Sequence, residues 1–251
     1  MICALCKQEA ELMDSHIIPK LVYRRIKSHP NSRFRSLDNI SKIWQDGEKR
    51  KMLCHDCEEK FSALETFFAN HLLDPYLKNE TIPSKYDSEI IFKYILSVAW
   101  RILWDDLYRG NSHNDSDYIR EEFVEFEKYL RDYLLSGNNN LKQYFNNNVY
   151  LLKDLVSCSD KIAEGTLFGY SYYPNVAVGC LVLVYYAGLV FVTHYTPPRR
   201  IVVQSGEYPK VNLRDIISEE LVYEFTNLIS LEKENMTEDL ENKIKNRYNI
   251  K

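Results

Sequence analysis

Four of the six cysteines fall into two pairs of identical spacing, Cys3-x2-Cys6 and Cys54-x2-Cys57. Each pair forms a tight turn that presents two thiolates to one point. Two such pairs are the ordinary ligand set of a tetrahedral zinc ion, with each sulfur about 2.3 Å from the metal. A zinc held by Cys3, Cys6, Cys54 and Cys57 makes residue 3 a spatial neighbour of residue 57. The 47 residues from Lys7 to Leu53 must then leave the metal and return to it. Within that excursion lies Ser15-His16-Ile17-Ile18-Pro19, where the chemistry is placed, and Glu58 follows the last ligand directly.

The elements that would hold these residues can be read from pattern. Ile17, Ile18, Leu21, Val22 and Ile26 suggest a strand end turning into a short helix after Pro19, since proline suits a first helical turn. Residues 27 to 40 are polar, basic and turn-rich, as in a surface loop. Asp46-Gly47 is a hairpin signal between Ile43 and Lys49, and Met52-Leu53 leads into Cys54. After Cys57, Phe61, Leu64, Phe67 and Phe68 recur at helical spacing, with Leu73-Asp74-Pro75 as the stop. Glu58 and Glu59 stand in the first turn, where the helix dipole favours acids. Knuckle, hairpin and a C-x2-C that opens a helix make a treble-clef arrangement.

At 251 residues the chain is long for one domain and comfortable for two. We expect an α+β fold: a zinc-bound finger over 1–75, a linker over 76–87, and a larger domain over 88–251. In that domain, helical patterns cover 88–136, with Gly137 closing the second helix. The Asn138–Asn140 and Asn146–Asn148 runs read as polar breaks. Antiparallel strands are expected within 149–204 and two helices within 213–248. The 18 residues from Val176 to Thr193 carry no charge. Their alternating valines around Ala187-Gly188 read as a buried β-hairpin rather than a membrane span.

The net charge of −4 is unevenly placed, because residues 1–60 hold 12 Lys+Arg against 9 Asp+Glu. A mildly basic first quarter in an acidic chain suits a local anionic ligand better than wholesale coating of nucleic acid. Cys158 and Cys180 stand alone in apolar surroundings, so a disulfide framework is not expected. Lys7, Glu9 and Glu11 interrupt any apolar leader, which points to a reducing, cytoplasmic setting without a membrane. No P-loop, dinucleotide fingerprint or Gly-x-Ser-x-Gly elbow is present.

Residues 3–68 resemble the zinc-containing HNH, or ββα-metal, endonuclease superfamily, through Cys3/Cys6, Ser15-His16-Ile17-Ile18-Pro19 and Cys54/Cys57. The resemblance implies hydrolysis of phosphodiester bonds in DNA or RNA. His16 would be the general base that takes a proton from the attacking water, and imidazole suits that role because its pKa lies near neutrality. Glu58 would stand at a metal-binding position for one Mg2+ or Mn2+, separate from the structural zinc. Ser15 replaces the family's usual acid or histidine, and Lys49, Arg50 and Lys51 stand where a central asparagine is common.

Plainer readings accompany each of these. His16 can be a packed structural histidine, and Glu58 an acid placed by the helix dipole. Lys20, Arg24, Arg25, Lys27, Arg33 and Arg35 make a basic segment that either contacts phosphates or is merely solvated. The alternative function is a zinc-stabilised module that binds nucleic acid or protein without catalysis. In either case residues 88–251 would sense a ligand, form a homo-oligomer or hold a protein partner.

Overall fold

The strand Leu12–His16 (β1) pairs antiparallel with Lys49–Cys54 (β4), and the helix His55–Phe68 (α2) leaves directly from the end of β4. This ββα unit belongs to a computed structural model that describes residues 1–28, 34–35, 43–44, 47–109, 117–155, 168–175, 179–198, 214–215, 217–219 and 221–222. Between the paired strands come the helix Lys20–Ser28 (α1) and two short strands, Phe34–Arg35 (β2) and Ile43–Trp44 (β3). β3 pairs with β2, not with β4. The Asp46-Gly47 hairpin expected from sequence is therefore replaced by a long-range pairing, in which His16 faces Lys49 and Ser15 faces Arg50. Asp46 itself lies outside the described residues.

Strand alternation sorts β1 into two faces. Ser15 is buried while Asp14 is exposed and His16 half-buried. The register is irregular between Leu12 and Asp14, so Leu12 and Ser15 both turn inward despite an odd spacing.

α2 does not stop at Leu73-Asp74-Pro75. It passes through one π-helical turn, Ala69–Leu73, into the helix Asp74–Asn79 (α3), which ends at Glu80 in a left-handed conformation. Pro75 sits in the first turn of α3, where a missing N–H costs little. The helix Ser88–Arg109 (α4) then runs through the middle of the molecule. It packs against α2 on one side and against the helix Asp117–Ser136 (α5) on another. Phe68 of α2 stacks on Tyr94 of α4 with ring centroids 3.9 Å apart. Gly137 closes α5 at a φ of 64°, its N–H returning to the Tyr133 carbonyl, a conformation that glycine adopts without strain. Asn138 caps the short helix Asn139–Lys142 (α6) by accepting from the Asn140 N–H.

Four further strands lie among the described residues: Phe145–Leu151 (β5), Phe168–Asn175 (β6), Gly179–Tyr186 (β7) and Leu189–Tyr195 (β8). They form one antiparallel sheet in the order β5-β8-β7-β6. Asn146–Asn148 are not a break but part of β5, on the sheet edge. Their backbone pairs with β8, and Asn147 Nδ2 donates to the Phe92 carbonyl at 3.1 Å.

Val176–Val178 lie outside the described residues, and the rest of the Val176–Thr193 stretch lies in the hairpin β7–β8, joined at Ala187-Gly188. It is apolar throughout because both faces are covered. Val182, Val184, Tyr186 and Phe191 face the main core, while Leu181, Leu183, Val190 and Val192 pack in a second cluster with Ile217 and Leu221. No helix among the described residues is long and apolar enough to cross a membrane. The strand expected at 199–204 lies outside the described residues, as do most of the C-terminal helices apart from helical residues between 214 and 222.

Candidate metal centre

The first knuckle is shaped by backbone alone. Lys7 N–H returns to the Cys3 carbonyl at 3.0 Å and Cys3 N–H donates to the Gln8 carbonyl at 2.9 Å. Lys7 takes a φ of 61°, which closes the turn. Ala4 N–H donates to the Met52 carbonyl at 2.9 Å, so the knuckle is clamped to β4 two residues before Cys54. Cys54 ends β4 and Cys57 lies in the first turn of α2.

The four sulfurs consequently lie within 4.8 Å of one another. Corners of a tetrahedron with bonds of about 2.3 Å are about 3.8 Å apart, and Cys6 Sγ is 3.8 Å from Cys54 Sγ. The set can hold a metal ion such as zinc, and its all-sulfur chemistry suits that ion.

Electrostatics at the thiols fit the same purpose. Burial works against ionisation of Cys3, but backbone N–H groups of Cys54, Cys6 and Leu5 outweigh it and bring its pKa down to about 7. The Cys54 N–H reaches Cys3 Sγ at 3.3 Å. Burial raises Cys57, and the neighbouring thiols raise it further. A divalent ion removes this repulsion by taking all four as thiolates. His55, between the ligands, is 68% exposed and points at Asp56 and Glu59 rather than at the sulfurs.

One residue beyond Cys57, Glu58 turns back to β1. Its Oε2 accepts a 2.7 Å hydrogen bond from Ser15 Oγ, and Ser15 is 1% exposed. Strand and helix therefore bring a hydroxyl and a carboxylate together beside the metal centre. His16 occupies the opposite strand face. Its ring lies 6.4 Å from that of Tyr23 and its Nε2 is buried. Tyr23 also packs against Gly47, where a Cβ would fall about 2 Å from the phenol end of the ring. The backbone of His16 is held from behind, by Arg101 Nη1 donating to its carbonyl at 3.2 Å.

The basic residues separate on folding. Lys20, Arg24 and Lys27 are exposed along α1, whereas Arg25 makes a two-pronged ion pair with Asp74, both bonds at 2.9 Å. Arg35 lies in β2 and Arg33 outside the described residues. On β4, Arg50 turns inward to Asp105 at 2.8 Å, and Lys51 pairs with Asp14 at 3.2 Å.

No family model, curated protein or solved structure matches the chain. The metal-binding capacity of the four cysteines therefore stands on their geometry.

Sequence reasoning missed Arg101 altogether. It is 2% exposed, lies 4.7 Å over the Phe61 ring, and pairs with Glu65 at 2.6 Å. The signal was present: Arg101 is the one charged residue between Lys93 and Asp105, in a helix otherwise uncharged over that span.

Proposed function

We propose that the protein is a metal-dependent nuclease that hydrolyses phosphodiester bonds of DNA, built on an HNH-like ββα element whose fold is fastened by a structural zinc. The observation that supports it most is the convergence of Ser15 and Glu58 at 2.7 Å, one residue past the last cysteine ligand; His16, next in sequence, lies on the other face of β1. A carboxylate and a hydroxyl are hard oxygen donors, and Mg2+ or Mn2+ commonly uses one or two carboxylates with water and substrate phosphate. Glu58 and Ser15 would hold such an ion. Bound there, it would neutralise the charge that develops on the phosphate and leaving oxygen.

The chain's own groups supply the rest. His16 takes a proton from water as the water oxygen bonds to phosphorus and the ester P–O bond breaks. The departing oxygen leaves with its electron pair and is protonated from solvent. Exposed Lys20, Arg24 and Lys27 bear on the phosphate backbone. Thiols kept reduced for metal binding fit a cytoplasmic setting.

A second reading, zinc-stabilised binding of DNA without cleavage, is favoured by the buried Nε2 of His16. Plasmid and oligonucleotide cleavage in Mg2+ or Mn2+, beside His16→Ala and Glu58→Gln, decides between them. The nuclease reading expects loss of at least about 100-fold in both variants with zinc content unchanged. Equal activity in all three proteins, or none with either metal, removes it. Salt-dependent binding without cleavage leaves the second reading standing.

A further inference from the structure

The four sulfurs of the metal centre are not equally covered. Cys3 is fully buried, its sulfur taking the Cys54 N–H at 3.3 Å, and Cys57 is 3% exposed in the first turn of α2. Cys6 is half-buried on the knuckle turn, and Cys54 is 9% exposed at the end of β4. The two more accessible cysteines are therefore one from each pair. They also touch, with Cys6 Sγ 3.8 Å from Cys54 Sγ.

The thiolate is the nucleophilic form of cysteine, and metal binding keeps it in that form. Burial shields a sulfur from small oxidants, and it shields Cys3 and Cys57 more than Cys6. Bonded sulfurs lie about 2.0 Å apart, so Cys6 and Cys54 must close by about 1.8 Å from their present separation. Cys6 supplies that movement from a surface turn, whereas Cys54 is fixed where β4 runs into α2.

We propose that Cys6 and Cys54 form an oxidative modification site: hydrogen peroxide joins them as a disulfide, and the metal centre loses two of its four ligands. The Cys6 thiolate attacks one peroxide oxygen, the O–O bond breaks, and hydroxide departs to be protonated by solvent. The Cys54 thiolate then attacks the sulfur of the resulting sulfenic acid. The S–S bond forms, the S–O bond breaks, and a second hydroxide leaves and is protonated. The two thiolates give up two electrons, and peroxide with two protons becomes two waters.

An ion left with Cys3 and Cys57 alone lacks the four ligands of a structural site and is released. The disulfide keeps residue 6 tied to residue 54 across the 47 residues between them, while Cys57, in the turn that carries Glu58, loses its anchor. A reducing dithiol reverses the change by exchange. This inference rests on metal binding by the four cysteines and is independent of the nuclease reading.

Zinc-loaded protein, its metal content measured beforehand by elemental analysis, is treated with a small molar excess of hydrogen peroxide. Released zinc is followed with a colorimetric chelator, thiols are counted in denaturant, and disulfide-linked peptides are mapped by mass spectrometry. The expected result is one zinc released per Cys6–Cys54 disulfide, a fall from six thiols to four, and recovery of both with dithiothreitol and zinc. Cys180→Ser releases zinc as the wild type does. Cys6→His keeps four ligands, since three cysteines and a histidine also hold zinc, and releases it at least about 10-fold more slowly.

Zinc retained while other thiols oxidise, release with a different disulfide or with none, or equal release from zinc-loaded Cys6→His overturns the proposal. If Cys6→His takes up no zinc, the wild-type peptide map decides alone. A wild type that takes up no zinc removes the metal reading of the cysteines, and the proposal with it.

Discussion

Arg101 donates from Nη1 to the carbonyl oxygen of His16 at 3.2 Å and from Nη2 to Glu65 at 2.6 Å, tying α4 to both β1 and α2. Removing one member of a buried ion pair leaves the other without compensation. Arg101→Met is expected to destabilise the fold by about 3 kcal/mol, the low end for such pairs because Glu65 keeps some solvent contact. Arg101→Met with Glu65→Leu recovers much of that loss. Urea unfolding of the two variants checks both statements.

The cysteine geometry predicts about one zinc per chain, retained through gel filtration and read by elemental analysis. Cys57→Ser is expected to lower zinc content to background, while Cys180→Ser leaves it unchanged. Chelation is expected to lower the melting temperature of the wild type and not that of Cys57→Ser. Equal responses in the two proteins would separate metal binding from folding.

The hydroxyls of Tyr94 and Tyr186 meet at 2.8 Å in a fully buried position. Either single change to phenylalanine strands the remaining hydroxyl, at a cost of about 1–3 kcal/mol. The double change removes both polar groups and is expected to cost less than the sum of the singles. A double-mutant cycle by thermal or urea unfolding reads the coupling directly.

Tyr94, Tyr186 and Tyr195 all have pKa values raised, by burial first. A folded pKa above the unfolded one means that the native state holds the proton more tightly. That stability is fully present below about pH 10 and is lost as pH rises towards the folded pKa values. Each such group contributes a slope of about 1.4 kcal/mol per pH unit in that window. Stability measured from pH 8 to 12 is expected to hold to about pH 10 and then fall steeply, less so in Tyr94→Phe with Tyr186→Phe.

Gly47 leaves space for the Tyr23 ring, and an added Cβ would overlap it. Gly47→Ala is expected to cost about 1–3 kcal/mol by overpacking. Because Tyr23 also adjoins His16, the imidazole resonances of His16 should move in the variant. A melting curve and a histidine NMR spectrum test the two parts separately.

What could be read from sequence was local. The two C-x2-C pairs fix their own geometry and their chemistry, so the sulfur cluster was legible. The β7–β8 hairpin was legible because alternation and an Ala-Gly turn lie within one stretch. The partner of β4 was not, because Asp46-Gly47 advertises a neighbouring strand while the actual pairing to β1 is set by the clamp at Ala4–Met52 and by burial of Leu12 and Ser15. Asn146–Asn148 misled because asparagine favours turns, yet an edge strand needs only a ladder on one side. Arg25 belonged by sequence with the other cations of the basic segment, and the approach of Asp74 from α3 separates it from them. Ser15 and Glu58 were both singled out, but their meeting depends on how α2 lies across β1.

The order in which the chain is made gives the Arg101 contact a further consequence. Every cysteine of the metal centre has been synthesised by residue 57, so a nascent chain can load its ion early. The guanidinium that braces the strand bearing His16 belongs to α4 and arrives later. A chain ending at residue 80 is therefore expected to carry metal while the ring of Phe61 and the carboxylate of Glu65 still lack their cover. Metal acquisition and bracing of the strand that bears His16 become two successive events, and the half-made protein holds its ion before that strand gains its support from α4.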